Sequence, residues 1–297
     1  MRRPRQILTF APLMPVNRLR VAALLLSLSL LGACSPFQKL LKSTDVNKRY
    51  TAALDYYENK HDYYKAGTLL EPLIPLLKGR PEAEKAEFYF AHTNFSQRNY
   101  TLAAYYFDQF AAVYPTSPFA EEAEFMHAKS LFRDSPEFEL DQTNTVQAVA
   151  AIQDFLNRRP ESKFRQEAEN MSNELQKKME VKAFEGAKLY YSLRYYQSAV
   201  VALTTFQQQY PASVYGEQAA YLKVAAQHEL AKESVEEKQR ERYEATVANY
   251  QSFIDAFPQS KNLRDAEQYY DAAQRYLKDH PAAPAVGTPA VGTPPAN

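Results

Sequence analysis

An all-α fold is expected for this chain of 297 residues, and three observations lead to it. Glycine is scarce, seven in all with four between positions 46 and 280, which leaves no material for a glycine-rich β architecture, a dinucleotide fingerprint or a phosphate-cradling loop. Apolar residues recur at helical intervals of three and four rather than in alternation. The chain also repeats itself: FAAVYPTS (110 to 117), FLNRRPES (155 to 162), FQQQYPAS (206 to 213) and FIDAFPQS (253 to 260) share one pattern of Phe, Pro and Ser. With 45% hydrophobic, 13% aromatic and 24% charged residues, the chain has enough apolar surface for a sizeable core.

At the amino end, Arg18 and Arg20 precede an apolar run from Val21 that is short for a bilayer span but right for a secretory hydrophobic region. It closes on Leu31, Gly32, Ala33 and Cys34. Small residues before the sole cysteine resemble the bacterial lipobox, in which the chain is cut before the cysteine and its thiol and new amino group are acylated. Acyl chains contribute about 0.8 kcal/mol per buried methylene, so several of them moor a protein durably while the polypeptide stays in water. Met14 offers a second start with the same two arginines, and a lone cysteine excludes an intrachain disulfide. Ser35 follows the cysteine where an inner-membrane retention signal would carry Asp, and no acidic surface-export signal is present, which favours the periplasmic face of the outer membrane. The expected segments are a signal peptide over 1 to 33, a lipidated tether over 34 to 45, a helical domain over 46 to 280, and a flexible tail over 281 to 297 that duplicates AVGTP.

Aligning Pro115, Pro160, Pro211 and Pro258 extends the repeat in both directions. Two residues on stand Ser117, Ser162, Ser213 and Ser260, and eight on stand Ala123, Ala168, Ala219 and Ala266. Upstream come Phe110, Phe155, Phe206 and Phe253, then Phe107, Ile152, Leu203 and Tyr250, then Ala103, Ala148 and Ala199 with Thr246 as the exception. These spacings describe one helical face, with alanine admitting a neighbouring helix and bulky residues filling the groove beside it. Proline ends the helix because it lacks an amide hydrogen and disfavours helical geometry in the residue before it. Serine is then expected as the N-cap of the next helix. Three residues before the alanine stand Tyr63, Tyr100, Tyr196 and Tyr243, with Thr145 as the exception; Ala66 supplies a fifth, N-terminal copy without the proline. Small, aromatic, alanine, aromatic and proline at these offsets resemble the tetratricopeptide repeat. About five antiparallel helix pairs between Val46 and His280 are expected to stack into a tetratricopeptide-like superhelix that binds through its concave face. DSPEFELDQTN (134 to 144) interrupts the third copy, a long helix is expected from Ser162 to about Ser192, and KESVEEKQRER (232 to 242) reads as a solvated helical stretch or loop.

Little in the chain suggests catalysis. His61, His92, His127, His228 and His280 lie far apart and match no metal-ligand spacing, so neither a metal nor any other cofactor is expected. Glu121 and Glu122 read as first-turn charges after Ser117. Removal of the first 33 residues leaves 30 basic against 35 acidic side chains, which gives no footprint for nucleic acid. The 22 tyrosines come partly in adjacent pairs; on a helix neighbours point about 100° apart, so one of a pair can be core while the other faces outward. Tyr56, Tyr64, Tyr105 and Tyr106 are the candidates for gripping an extended peptide, since tyrosine combines apolar area with a hydrogen-bonding tip.

The lipobox, the Pro36, Phe37, Gln38 tether, the recurring YPxS turn and the segment LDQTNTVQAVAAIQDFLNRRPESKF (140 to 164) together resemble the BamD family of outer-membrane lipoproteins, with Arg159 standing where an aromatic is usual. The resemblance implies a non-enzymatic scaffold of the β-barrel assembly machinery on the periplasmic face of the outer membrane. It implies contact with unfolded outer-membrane β-barrel proteins within residues 46 to 135, contact with the POTRA region of BamA within about 182 to 280, and association with other accessory lipoproteins. Competing readings are a scaffold lipoprotein of another envelope machine, such as a secretin pilot or a cell-wall coordination factor, a glycan-binding lipoprotein of the SusD type, and an enzyme whose site the sequence conceals. SusD-type chains are usually longer and bear tryptophan, which is absent here. If Cys34 carries the anchor, Cys34→Ala leaves the chain uncleaved or releases it from membranes; a processed Cys34→Ala protein that still sediments with outer membranes contradicts the lipidation.

Overall fold

A computed structural model describes residues 36–281. The signal peptide, Cys34 and all of the tail beyond Pro281 lie outside the described residues. Among the described residues every regular element is a helix, as the repeat requires. In chain order these are α1 (Pro36–Leu41), α2 (Val46–Glu58), α3 (Tyr63–Leu70), a 3₁₀ turn (Glu71–Leu73), α4 (Ile74–Leu77), α5 (Glu82–Ser96), α6 (Tyr100–Val113) and α7 (Ala120–Asp134). Then follow α8 (Thr143–Arg158), α9 (Arg165–Ser192), α10 (Tyr196–Gln209), α11 (Gly216–Lys232), α12 (Glu236–Ala256) and α13 (Leu263–Asp279). α9 is the long helix that the absence of breakers predicts, and α12 takes in most of the charged stretch.

The described chain divides into two compact units, one holding residues up to Asp134 together with Ala150–Ala168, the other holding Ser135–Val149 and everything from Glu169 onward. In the first, α2 pairs with α3 and α5 with α6, followed by α7. In the second, α10 packs on α11, α11 on α12, and α13 closes the end. Three of the turns between successive helices pass through a residue of positive φ, namely His61 (51°), Arg98 (63°) and Arg194 (64°), each two positions before the tyrosine that opens the next helix. The turn holds because its amides reach back five residues: Asn99 N donates to the Asn94 carbonyl and Tyr195 N to the Tyr190 carbonyl, both at 2.9 Å.

The repeat alanines do what their spacing predicts. Ala103, Ala148, Ala199, Ala123, Ala168, Ala219 and Ala266 are all fully buried, as are the ring and aliphatic positions Phe107, Ile152 and Leu203. The exceptions fit locally: Thr246 is buried with its hydroxyl donating to the Arg242 carbonyl at 3.0 Å, and Thr145 donates to Gln142 Oε1 at 2.7 Å in the loop before α8. The repeat phenylalanine joins a three-ring cluster. Phe110 lies 5.4 Å from Phe88, which stacks on Phe119 at 4.6 Å; Phe155, Phe125 and Phe164 repeat the arrangement at 5.6 and 4.4 Å, and Phe206, Phe184 and Tyr215 at 5.5 and 4.7 Å. Offset and tilted rings at these separations add about 0.5–1.5 kcal/mol per pair to the area they bury.

The serine of the repeat does not cap a helix as expected. Each one stands three residues ahead of the first helical residue, and its Oγ accepts from the amide two residues on: Phe119 N to Ser117 at 3.0 Å, Phe164 N to Ser162 at 3.1 Å, Tyr215 N to Ser213 at 3.0 Å, and Asn262 N to Ser260 at 3.1 Å. Proline forces a turn before the next helix can start, so the serine caps that turn. Its hydroxyl proton is then free to reach the first helix of its own pair, where it donates to a glutamate: Ser117 to Glu84, Ser162 to Glu121 at 2.6 Å, Ser213 to Glu180, and Ser260 to Glu217 at 2.7 Å. Glu121 is therefore a latch for Ser162 as well as a first-turn charge, and its neighbour Glu122 lies 3.5 Å from His92.

Crossing of α3 and α5 depends on one missing side chain. A Cβ built on Gly67 meets Thr93 Oγ1 at 2.8 Å, and buried Thr93 has no slack because its hydroxyl donates to the Phe90 carbonyl at 2.7 Å. Gly67→Ala is therefore expected to cost about 1–3 kcal/mol in a denaturant titration. Gly186→Ala, where the new methyl meets nothing within 4 Å in mid-helix, should instead stabilise by about 1 kcal/mol.

Candidate peptide-binding groove

The close crossing at Gly67 sets the walls of a groove in the first unit. α3 contributes Tyr64 and Thr68, α5 contributes Phe90, Asn94 and Gln97, and α6 contributes Leu102 and Tyr106, with Glu71 and Asn99 at the ends, around a volume of about 240 Å³. Small residues make this possible: Ala66 and Gly67 on α3 and Ala103 on α6 are buried, so the helices approach and the rings beside them are pushed to the rim. Tyr64 is 67% exposed, Leu102 50% and Tyr105 56%. Tyr106 is half-buried, its ring edge-on to Phe90 at 4.8 Å and to Tyr105 at 5.2 Å. The floor amides are fixed by helix carbonyls, with Asn94 Nδ2 donating to Phe90 at 3.0 Å and Gln97 Nε2 to Thr93 at 3.0 Å and Tyr63 at 3.4 Å.

Of the four candidate tyrosines, the fold brings Tyr64 and Tyr106 into one groove and places Tyr105 against Tyr106. Tyr56 is elsewhere. Its ring packs edge-on to Phe37 of α1 at 5.6 Å and lies under the ammonium groups of Lys60 and Lys65 at 4.4 and 5.4 Å. Asn94, Gln97, Asn99 and Leu102 were not among the expected residues, because their convergence depends on three helices rather than on any one pattern. Rings, amides and a rim carboxylate supply apolar area and hydrogen bonds, which suits adhesion to a polypeptide.

A second depression, about 420 Å³, belongs to the other unit and is lined by Phe138, Glu139, Lys182, Gly186, Leu189 and their neighbours. Lys182 Nζ donates to the carbonyls of Phe138 at 2.9 Å and Leu140 at 2.8 Å, and Lys178 Nζ to Ser135 Oγ at 2.9 Å, so the acidic loop is clamped along α9. Leu140, Leu189 and Leu193 remain exposed.

The model of the family described as "YfiO: Outer membrane lipoprotein" matches residues 42–240, spanning the groove and the clamped loop. The chain belongs to that family of outer-membrane lipoproteins. A relative in Aquifex aeolicus, "Putative outer membrane protein assembly factor BamD", is 31% identical over 134 residues; the match covers 43% of this chain and 42% of that protein, so the chain spans less than half of the relative's length. Two crystal structures of a putative kinesin light chain with TPR-like repeats from Podosopora anserina are 14% and 15% identical, cover 79% and 80% of this chain and 96% and 97% of theirs, and superpose with a TM-score of 0.30. Among the described residues of this family member, no cluster of three or more His, Cys, Asp or Glu is placed to hold a metal ion, and no helix is long and apolar enough to cross a membrane.

Aromatic pairs in the second unit resolve into one inner and one outer ring. Tyr196 is buried while Tyr195 is exposed, and Tyr191 is half-buried while Tyr190, which stands nine residues before Ala199 as Tyr57 stands before Ala66, is exposed. Tyr191 takes the inner place, packed against the cluster of Tyr196, Ala199 and Ala226, and burial pushes its hydroxyl up to about 12. His228 is buried nearby, its ring 5.0 Å from Tyr269 and 5.8 Å from Tyr243, with Nδ1 3.3 Å from Glu229. Burial lowers its pKa despite the carboxylate, so the folded state favours the neutral ring. Its contribution to stability is complete above the ordinary histidine range and is lost as pH falls below about 6.5, where the unfolded chain takes up the proton first. His228→Gln should flatten the decline in melting temperature between about pH 7 and pH 5; an unchanged slope contradicts the assignment.

Proposed function

We propose that this outer-membrane lipoprotein is a scaffold of the β-barrel assembly machinery, without enzymatic activity, moored to the periplasmic face through acyl chains on Cys34. In this reading the first unit receives unfolded outer-membrane β-barrel proteins, and the second docks on the POTRA region of BamA, alongside other accessory lipoproteins. The observation that carries the proposal is the groove of Tyr64, Leu102 and Tyr106 over fixed amides: exposed Tyr64 and Leu102 beside the half-buried Tyr106 ring suit an extended segment that alternates apolar side chains with free backbone groups. The Aquifex aeolicus relative, named as an assembly factor, supports the same direction. The clamped loop and the exposed Leu140, Leu189 and Leu193 are the best-supported docking surface of the second unit. No nucleotide-binding pattern is present in the sequence, so capture and release run on binding energy alone, and each 1.4 kcal/mol of extra hold slows release about tenfold.

The test uses a denatured outer-membrane barrel protein, diluted from urea and followed by fluorescence anisotropy. Tyr64→Ala combined with Tyr106→Ala should weaken its binding about tenfold or more with little change in melting temperature. Tyr56→Ala, acting on the Phe37 contact, should lower the melting temperature and leave the affinity nearly intact. Equal affinity in the double variant and the parent refutes the groove as the receiving site, and a native preparation free of BamA refutes the assignment to that machinery.

A further inference from the structure

The segment nearest the anchor is not a loose strap. Phe37 is buried in the core of the first unit with Ala53, Leu69 and Leu70, and Leu40 and Leu41 pack against the same cluster. Tyr56 closes over Phe37, and the Lys65 ammonium lies 5.8 Å from its ring. An extended chain spans at most about 3.6 Å per residue, so Phe37 lies within roughly 11 Å of Cys34. A headgroup layer is only about 5–8 Å deep on each side of the hydrocarbon. An acyl group on Cys34 therefore brings α1 and the start of α2 to the bilayer surface.

That surface is positively charged in a chain whose processed form is net acidic. Between positions 36 and 54 the sequence has Lys39, Lys42, Lys48 and Arg49 against Asp45 alone, and Asp45 is engaged in capping α2, accepting from Lys48 N at 2.9 Å. Lys60, Lys65 and Lys85 of the same unit are each neutralised by a carboxylate, Asp55, Asp62 and Glu58. Lys39, Lys42 and Lys48 are exposed and form no ion pair among the described residues. Lys48 shares an open depression with Leu40 of α1 and with Asp55 and Glu58, whose carboxylates are already held by Lys60 and Lys85.

We propose that Lys39, Lys42 and Lys48 form a seat for the anionic headgroups of the bilayer, and that Phe37 couples the anchor to the repeats so that this face stays against the membrane. The proposal rests on the lipid-anchor reading of Cys34 but is tested without the lipid. The processed full-length chain bearing Cys34→Ser is floated with vesicles of phosphatidylglycerol and phosphatidylethanolamine, or of phosphatidylcholine alone. Binding to the acidic vesicles, reversed by salt, is expected, with little binding to the neutral ones. A basic residue near an acidic surface contributes about a fivefold gain, so Lys39→Gln, Lys42→Gln and Lys48→Gln together should weaken binding about a hundredfold. Lys261→Gln with Lys278→Gln, in the other unit, should change nothing. Phe37→Ala should reduce binding while the lysines remain, with its melting temperature recorded to separate loss of the seat from unfolding. Equal binding to both vesicle types, or a triple variant as good as the parent, overturns the proposal; loss of membrane fractionation by Cys34→Ala reports on the anchor separately.

Discussion

A serine hydroxyl held between a turn amide and a carboxylate is the constraint on which the helix pairs depend. Proline has already stopped the second helix of a pair, and without a further restraint the chain could leave in many directions. By accepting from the amide two residues on and donating to a glutamate of the first helix, Ser117, Ser162, Ser213 and Ser260 fix both the turn and its position over the pair. A hydrogen bond to a charged acceptor contributes about 1.5–3 kcal/mol, more than a neutral one, and the part-buried setting limits competition from water. The ring that follows the serine in three copies, Phe119, Phe164 or Tyr215, is thereby delivered onto the ring one turn beyond the glutamate, Phe88, Phe125 or Phe184. Latch and stack are thus one device, since the same short turn positions both.

The same device explains the departure at Arg159. In the preceding copy the residue before the proline is Tyr114, whose hydroxyl donates to Glu87 at 3.0 Å; burial and that bond push it up to about 12. Arg159 occupies the equivalent place and forks onto Glu124 at 2.8 and 2.9 Å, and Glu124 stands relative to Glu121 as Glu87 stands relative to Glu84. An aromatic donor has been exchanged for a cationic one without moving the acceptor. The apolar part of the ring is lost, but a two-bond geometry is gained. What looked like a weakened repeat is a different solution to the same contact.

The half of each repeat that lies around the proline was legible because it is written in one continuous stretch. Phenylalanine, proline and serine keep their offsets in all four proline-bearing copies, and alanine and tyrosine in three of the four, since one helix and one turn fix them. The glutamate was not legible, because 33 residues separate it from its serine in two copies but 41 and 43 in the others, so alignment on the proline scatters it. Tyr64 and Tyr106 could be picked from tyrosine doublets, yet nothing in a doublet says that Phe37, far back along the chain, will claim Tyr56. The doublet of Tyr190 and Tyr191 is as silent, for it is the cluster of Tyr196, Ala199 and Ala226 that takes Tyr191 inward and leaves Tyr190 outside. Asn94, Gln97 and Leu102 show the general limit: each is unremarkable on its own helix and acquires meaning only where three helices meet.

The groove and the frame are linked through Gly67. Its missing side chain lets α3 settle onto Thr93, and that approach both buries Ala66 and leaves Tyr64 standing at the rim across from Tyr106. A wider crossing would sink the rings into the gap and erase the adhesive surface, whereas a rigid narrow one keeps apolar area exposed that a free protein would otherwise bury. Pre-formed rings on two helices lose little entropy when a chain lies across them, and the groove walls carry one charged side chain, Glu71 at an end. A polypeptide can therefore be gripped by its side chains and backbone with no charge having to be stripped of water, which keeps the hold moderate and reversible. For a surface that must pass its cargo onward, that balance follows from the helix crossing itself.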